Sequence, residues 1–183
     1  TFRPWAEKYH RGLVYVGGVC DAASDPYTLA NLKGYVLKFD PANTAAGFSY
    51  VKHFAFDQKR PGYGYDLNAW SGWFPPTSAI GWPYFHSPIV GNLEFDSDGS
   101  IIVGVIDRAG LQNGNGSYDE PSCTDTTRDY TDALGDVLRL CKTDSGYIAD
   151  SEPGCTTNIP SASKVQDEYY WGDMGPDNEA WQS

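Results

Sequence analysis

The chain has 183 residues and a formal net charge of −11. That is long enough for one sizeable core, and the acidic balance argues against nucleic acid or an anionic membrane surface as partner. No run approaches the roughly 18 apolar residues of a membrane-spanning helix, so no membrane insertion is expected.

Tyr, Phe, Trp, Gly and Pro are plentiful while Met occurs once. Aromatic and β-branched residues fit pleated surfaces, and Gly and Pro punctuate short turns. No window of about 11 residues carries a helical apolar period. The class expected is all-β.

In chain order, Phe2 to Tyr9 contains Arg3-Pro4-Trp5 and reads as an irregular entry. His10-Arg11-Gly12 is a tight turn, with Gly supplying a positive φ. Leu13 to Val19 is a strand of nearly continuous apolar character, as expected when both faces are covered. Gly17-Gly18 inside it marks a bulge or a close approach by a neighbour. Leu32 to Phe39 alternates, with Tyr35, Leu37 and Phe39 on one side and Val36 and Lys38 on the other. After the Asp40-Pro41-Ala42-Asn43 turn, Phe48 to Phe56 reads as a strand with Phe48, Tyr50, Lys52, Phe54 and Phe56 on one side.

Residues 58–87 differ. They hold Trp70, Trp73, Phe74-Pro75-Pro76 and Trp82-Pro83-Tyr84-Phe85. This is too rich in Pro and Gly for an ordinary strand and too aromatic for a disordered linker, so an ordered aromatic insertion is expected. The strand pattern then restarts with Ile89 to Phe95, the Asp96-Ser97-Asp98-Gly99 turn and Ser100 to Ile106. Arg108 to Arg128 reads as a long polar loop. Asp136 to Cys141 and Gly146-Tyr147-Ile148 are further strands, and Val165 to Trp171 looks like the start of another unit.

The firmest signal is repetition. Gly12-Leu13-Val14-Tyr15-Val16-Gly17 corresponds to Gly99-Ser100-Ile101-Ile102-Val103-Gly104, and Gly34-Tyr35-Val36-Leu37 to Gly135-Asp136-Val137-Leu138. The chain reads as one β-repeat region, 1–183. Its blade-like units span about 9–56 and 89–150, with the insertion at 58–87 and a further start at 165–173. A repeated four-stranded unit of this kind is β-propeller-like. About two blades and the start of another leave an incomplete ring, so a ring or assembly larger than the chain is expected. A β-sandwich is the competing architecture.

Several residues could carry chemistry. Asp96 and Asp98 resemble the opening of a calcium loop, but without its third acidic position or distant Glu; an Asp-Gly hairpin explains them without metal. Asn113, Asn115 and Asp119 supply further oxygen ligands for calcium, the one cofactor the sequence suggests. Asn115-Gly116-Ser117 is also a glycosylation sequon. Trp70, Trp73, Trp82 and Tyr84 could stack on glycans or anchor the insertion. Glu94 and Asp96 could form the paired carboxylates of a glycosidase or a solvated face. His10, His53 and His86 are isolated, and no nucleophile-base-orienter set can be assembled. The chain is expected not to be an enzyme.

Four cysteines, Cys20, Cys123, Cys141 and Cys155, suggest two disulfides and an oxidising compartment. Three pairings are open. Cys141–Cys155 closes a short loop after a strand and is favoured, which leaves Cys20–Cys123.

At Arg3-Pro4-Trp5, Gly12 to Cys20, Tyr35-Val36-Leu37-Lys38-Phe39-Asp40-Pro41, Gly104 to Gly110 and Gly135 to Cys141, the chain resembles a group of large bacterial extracellular proteins. These join a propeller-like region to serine-aspartate-repeat B-type (Cna-B-like) surface modules. The resemblance implies an extracellular or cell-surface, structural or adhesive protein. Its implied partners are flanking surface-protein modules or other copies of itself, as in a filament. A carbohydrate-binding module is the alternative, and a propeller glycosidase a more distant one.

Overall fold

Strand-period alternation between glycine-started turns folds into two antiparallel meanders. The computed structural model describes residues 1–23, 29–56, 70, 72–73, 87–113, 115–118, 128–130, 135–149 and 152–155. Strands β1 (Phe2–His10), β2 (Leu13–Cys20), β3 (Lys33–Phe39) and β4 (Phe48–Ala55) form a first sheet in the order β1-β2-β3-β4. The second half contains β5 (Pro88–Phe95), β6 (Ile101–Asp107), a short helix α1 (Arg108–Asn113), β7 (Asn115–Tyr118), β8 (Arg128–Tyr130), β9 (Gly135–Thr143) and β10 (Gly146–Ala149). Its main sheet runs β5-β6-β9-β10, and β7 and β8 pair as a separate ribbon. Neither four-stranded sheet closes on itself. All-β architecture is therefore established, and among the described residues the two open sheets do not by themselves show a propeller ring.

Two expectations change. The Arg3-Pro4-Trp5 stretch is not an irregular entry but part of β1, so the first unit starts well before residue 9. Proline is tolerated because β1 is an edge strand, and a register shift between Pro4 and Ala6 leaves Trp5 as an extra residue. The stretch 108–128 is not simply a polar loop, since it contains α1, β7 and the start of β8.

A third correction concerns β4. Strict alternation would put Phe48, Tyr50, Lys52 and Phe54 on one side. A register shift opposite Val36 and Leu37 inserts Val51 as an extra residue. A bulge reverses the side-chain sense beyond it. Phe54 is buried in the core, while Phe48 and Tyr50 lie exposed on the opposite face.

The two sheets are the same unit twice. Each β-bulge falls at the same place: Trp5 lies across from Gly17 and Gly18, and Gly91 across from Gly104 and Val105. Gly17 and Gly104 each stand five residues after their turn glycine. The turns differ in length. His10 pairs with Leu13 across Arg11-Gly12, both at positive φ, whereas Asp96 and Ser100 bracket three residues ending in Gly99.

The sheets pack face to face. Tyr15, Val19, Val36 and Phe54 of the first meet Val90, Leu93, Ile101, Val103, Leu138 and Leu140 of the second in one core. The Phe95 ring stacks on His10 at 3.8 Å and meets the Tyr15 ring edge-on at 4.8 Å. Gly17 floors the contact: a Cβ there would lie 2.6 Å from Val90 Cγ1 and 3.3 Å from Leu93. On the other face, Gly18 makes room for the Phe2 ring.

The stacking has a direction. Counted from the turn glycines, Ile101, Val103 and Leu138 correspond to Val14, Val16 and Leu37. In the second sheet these positions face the first sheet and form its core. In the first sheet they alternate with the core residues Tyr15 and Val36 and so face away. The front of one unit thus covers the back of the other.

Gly34 lies under the buried Phe54 ring, which a Cβ would meet at 2.2 Å. Gly34→Ala is expected to destabilise by about 1–3 kcal/mol through overpacking. Gly104→Ala, whose Cβ would meet nothing closer than 3.4 Å, should stay within about 0.5 kcal/mol of the parent. Urea unfolding monitored by tryptophan fluorescence checks both.

Candidate functional site

Of the residues singled out from sequence, most of those within the described regions are engaged. Asp96 accepts from the Ser97 amide at 2.6 Å and from the Arg139 guanidinium at 3.1 Å. Asp98 accepts from the Ser100 amide at 2.8 Å and from Arg139 at 2.6 Å. The Asp-x-Asp turn is therefore held by a cation of the protein itself. The Ser100 amide is the main reason the Asp98 carboxyl sits below its ordinary range. A small burial cost opposes this, and the Ser100 hydroxyl and Arg139 add to the lowering. Among the described residues, no group of three or more His, Cys, Asp or Glu is placed to hold a metal ion. Asn113 closes α1 and Asn115 opens β7; Asp119 lies outside the described residues.

Glu94 and Asp96 belong to different ion pairs. Glu94 meets Lys8 of β1 at 2.6 Å, while Asp96 meets Arg139 of β9. His10 is stacked on Phe95. His53 shares a 2.6 Å hydrogen bond with the Tyr50 hydroxyl through Nδ1. His86 lies outside the described residues.

Trp70, expected as part of a stacking platform, has no exposed surface and packs edge-on against Phe56 in the core. The reason is physical: the insertion needs a large apolar side chain to fix it to the sheets. Trp73 donates its indole N–H to the Pro88 carbonyl at 2.9 Å. Two guanidiniums lie over its ring, Arg108 at 4.9 Å and Arg3 at 5.8 Å from the centroid. Cation–π attraction to both joins the start of β1 to the end of β6. Trp82 and Tyr84 lie outside the described residues.

Beside Trp73 is an acidic latch that sequence reading passed over. Asp21 is fully buried and accepts from the Thr1 nitrogen at 2.8 Å, Arg3 at 2.7 Å and the Ala23 amide at 3.1 Å. Burial alone would raise its carboxyl. The hydrogen bonds from Thr1, Ala23 and Arg3 outweigh that and hold it below its ordinary value. The second unit has a counterpart, in which Asp107 accepts from the Ser87 amide at 2.9 Å. In both, an Asp closing the second strand ties down the residue before the first. An aspartate at the end of each second strand, Asp21 just after β2 and Asp107 closing β6, was the available signal.

Cys141 and Cys155 are disulfide-bonded, closing a 14-residue separation after β9. Cys20 is a half-buried free thiol. It borders a cavity of about 210 Å³ lined also by Lys33, Tyr35, Asn31 and Ala22. Cys123, its expected partner, lies outside the described residues, as does the further unit at 165–173.

What the ion pairs and core leave open is the back of the first sheet. Trp5, Tyr9, Phe48 and Tyr50 are 61, 67, 60 and 55 % exposed. Between them run Val14, Val16, Leu37 and Phe39, all partly exposed. Lone exposed apolar residues need no account, but a whole sheet face of them marks a contact surface.

No family model matches the chain, and no solved structure matches it. Among curated proteins it is similar to Colossin-A of Dictyostelium discoideum, 24 % identical over 163 residues. That alignment covers 87 % of this chain and 1 % of the relative, so the chain corresponds to a very small part of it.

Two measurements check these assignments. Reducing Cys141–Cys155 should lower stability by roughly 3 kcal/mol, as expected for a loop of this size, read as a shift in urea midpoint with and without reductant. Asp21, Asp98 and Glu152 all have lowered carboxyls, Glu152 chiefly through its Lys52 hydrogen bond. Their stabilisation is fully present above the ordinary carboxylate range and is lost as pH falls through their lowered values. Urea midpoints should therefore hold near neutral pH and drop below about pH 4, with a shallower drop in Asp21→Asn.

Proposed function

We propose that the chain is a non-enzymatic, structural or adhesive module of an extracellular surface protein, built of two consecutive blades of a propeller-like array. The observation that carries this reading is the unit repeated with its bulge in place and stacked front to back. A unit that stacks in one direction presents an unused face at each end of the stack, and such modules work by being packed against. The exposed aromatic back of the first sheet is one of those faces.

Other features support the same reading. The Cys141–Cys155 bridge suits an oxidising compartment. Among the described residues, no helix is long and apolar enough to cross a membrane. The carboxylates singled out from sequence within the described residues are ion-paired, Asp96 and Asp98 with Arg139 and Glu94 with Lys8. A relative of which this chain spans 1 % fits a module repeated or embedded in a far longer polypeptide.

Immunoblotting of fractionated source cells, without reductant, tests this. The reading predicts surface or culture-fluid signal in a polypeptide much larger than 20.1 kDa, with Cys141–Cys155 oxidised in its peptide map. A reduced, cytosolic species of about the chain's own size would overturn it.

A further inference from the structure

From the direction of stacking we infer that a second copy of this chain docks on the open back of the first sheet, presenting the far face of its own second sheet. The inference deepens the array reading and rests on it.

The internal contact supplies the template. Within the chain, the front of the first sheet, floored by Gly17, receives the back of the second, led by Val90, Leu93 and Phe95. Among the described residues the stack therefore ends on two faces of complementary kind: the back of the first sheet and the front of the second. The back of the first sheet carries Tyr9 where the second carries Phe95, and Val14 and Val16 where it carries Ile101 and Val103. In the second sheet those residues are core; in the first, Tyr9 is two-thirds exposed.

The front of the second sheet repeats the receiving face. Gly104 takes the register place of Gly17, and the nearest atoms to a Cβ there belong to Asn92, at 3.4 Å and beyond. Ile106, on the same face, is exposed. By register the back of the first sheet carries Glu7 and Lys33 and the front of the second carries Glu94 and Arg139, and the repulsion between two chains of net charge −11 is screened at physiological salt. The seated partner is another four-stranded unit because that is what covers the equivalent positions Ile101, Val103 and Leu138 within the chain.

A contact between two different faces is heterologous. It grows into a closed ring or an open filament, not a self-limited pair. This gives a test that a two-fold dimer would fail. The back-face variant is Tyr9→Lys with Tyr50→Lys, both at exposed positions. The front-face variant is Ile106→Lys, with Asn92→Arg as a second choice on the same face should the first not fold. Far-UV circular dichroism and urea midpoints confirm folding. Light-scattering mass is read from about 10 μM to about 1 mM, where weak contacts register.

The parent should rise with concentration to at least twice 20.1 kDa, and each variant alone should stay at one chain. An equimolar mixture of the two should reach two chains and stop, since each keeps the face the other lacks. A parent that remains one chain throughout overturns the inference, as do variants that assemble like the parent or a mixture that remains monomeric. A monomeric parent in a chain still found within a large surface protein would overturn the docking alone and leave the array reading standing.

Discussion

The structure depends on the place where Gly17 meets Val90 and Leu93. A strand whose neighbours on both faces are large cannot let another sheet approach closely. Removing one side chain at the middle of β2 opens a seat, and Val90 fills it to within 2.6 Å of where a Cβ would stand. From that seat the rest follows. The Phe95 ring is carried onto His10 and Tyr15, Lys8 is brought to Glu94, and, beyond β4, Lys52 reaches Glu152. These ion pairs are largely solvent-accessible and stabilise little singly; their value is in fixing how the two sheets lie on each other. Burial of the apolar seam supplies the energy, at roughly 1.5–3 kcal/mol for each large side chain fully covered.

The ends of the sheets are closed by a different device. Asp21 and Asp107, each ending the second strand of its unit, bind the residue that leads into the first. Trp73 spans the two ends, with Arg3 and Arg108 over its ring. Of the aromatic stretch, Trp73 is thus anchored through its indole N–H and Trp70 is buried in the core.

Much of this was legible in the sequence. Glycine-started strands are local signals, so strands at Leu13 to Val19, Leu32 to Phe39, Ser100 to Ile106 and Asp136 to Cys141 could be read to within a residue or two of their ends, as could the Asp-Gly hairpin, and Cys141–Cys155 was the favoured of three pairings. The apolar run at Leu13 to Val16 announced a strand with apolar residues on both faces. Only one of those faces is covered by the described residues, which is why the back of the first sheet stands out. What could not be read depends on partners distant in sequence. Nothing local marks Trp5 or Val51 as a bulge, and one bulge reverses every side chain beyond it, as Phe48 and Tyr50 show. The roles of Asp96 and Asp98 depended on Arg139, some forty residues away, and those of Trp70 and Trp73 on which sheet the insertion crosses. Whether the chain acts by catalysis or by contact is a property of faces, and faces emerge only once register is known.

The central claim is that the two units are joined at the Gly17 seat, and a double-mutant cycle between Gly17→Ala and Val90→Ala tests it most directly. If Val90 occupies that seat, Gly17→Ala costs about 1–3 kcal/mol in the parent and markedly less once Val90 is shortened, giving a coupling of about 1 kcal/mol or more by urea unfolding. Effects that add within about 0.5 kcal/mol would mean the two residues do not meet and would contradict the account.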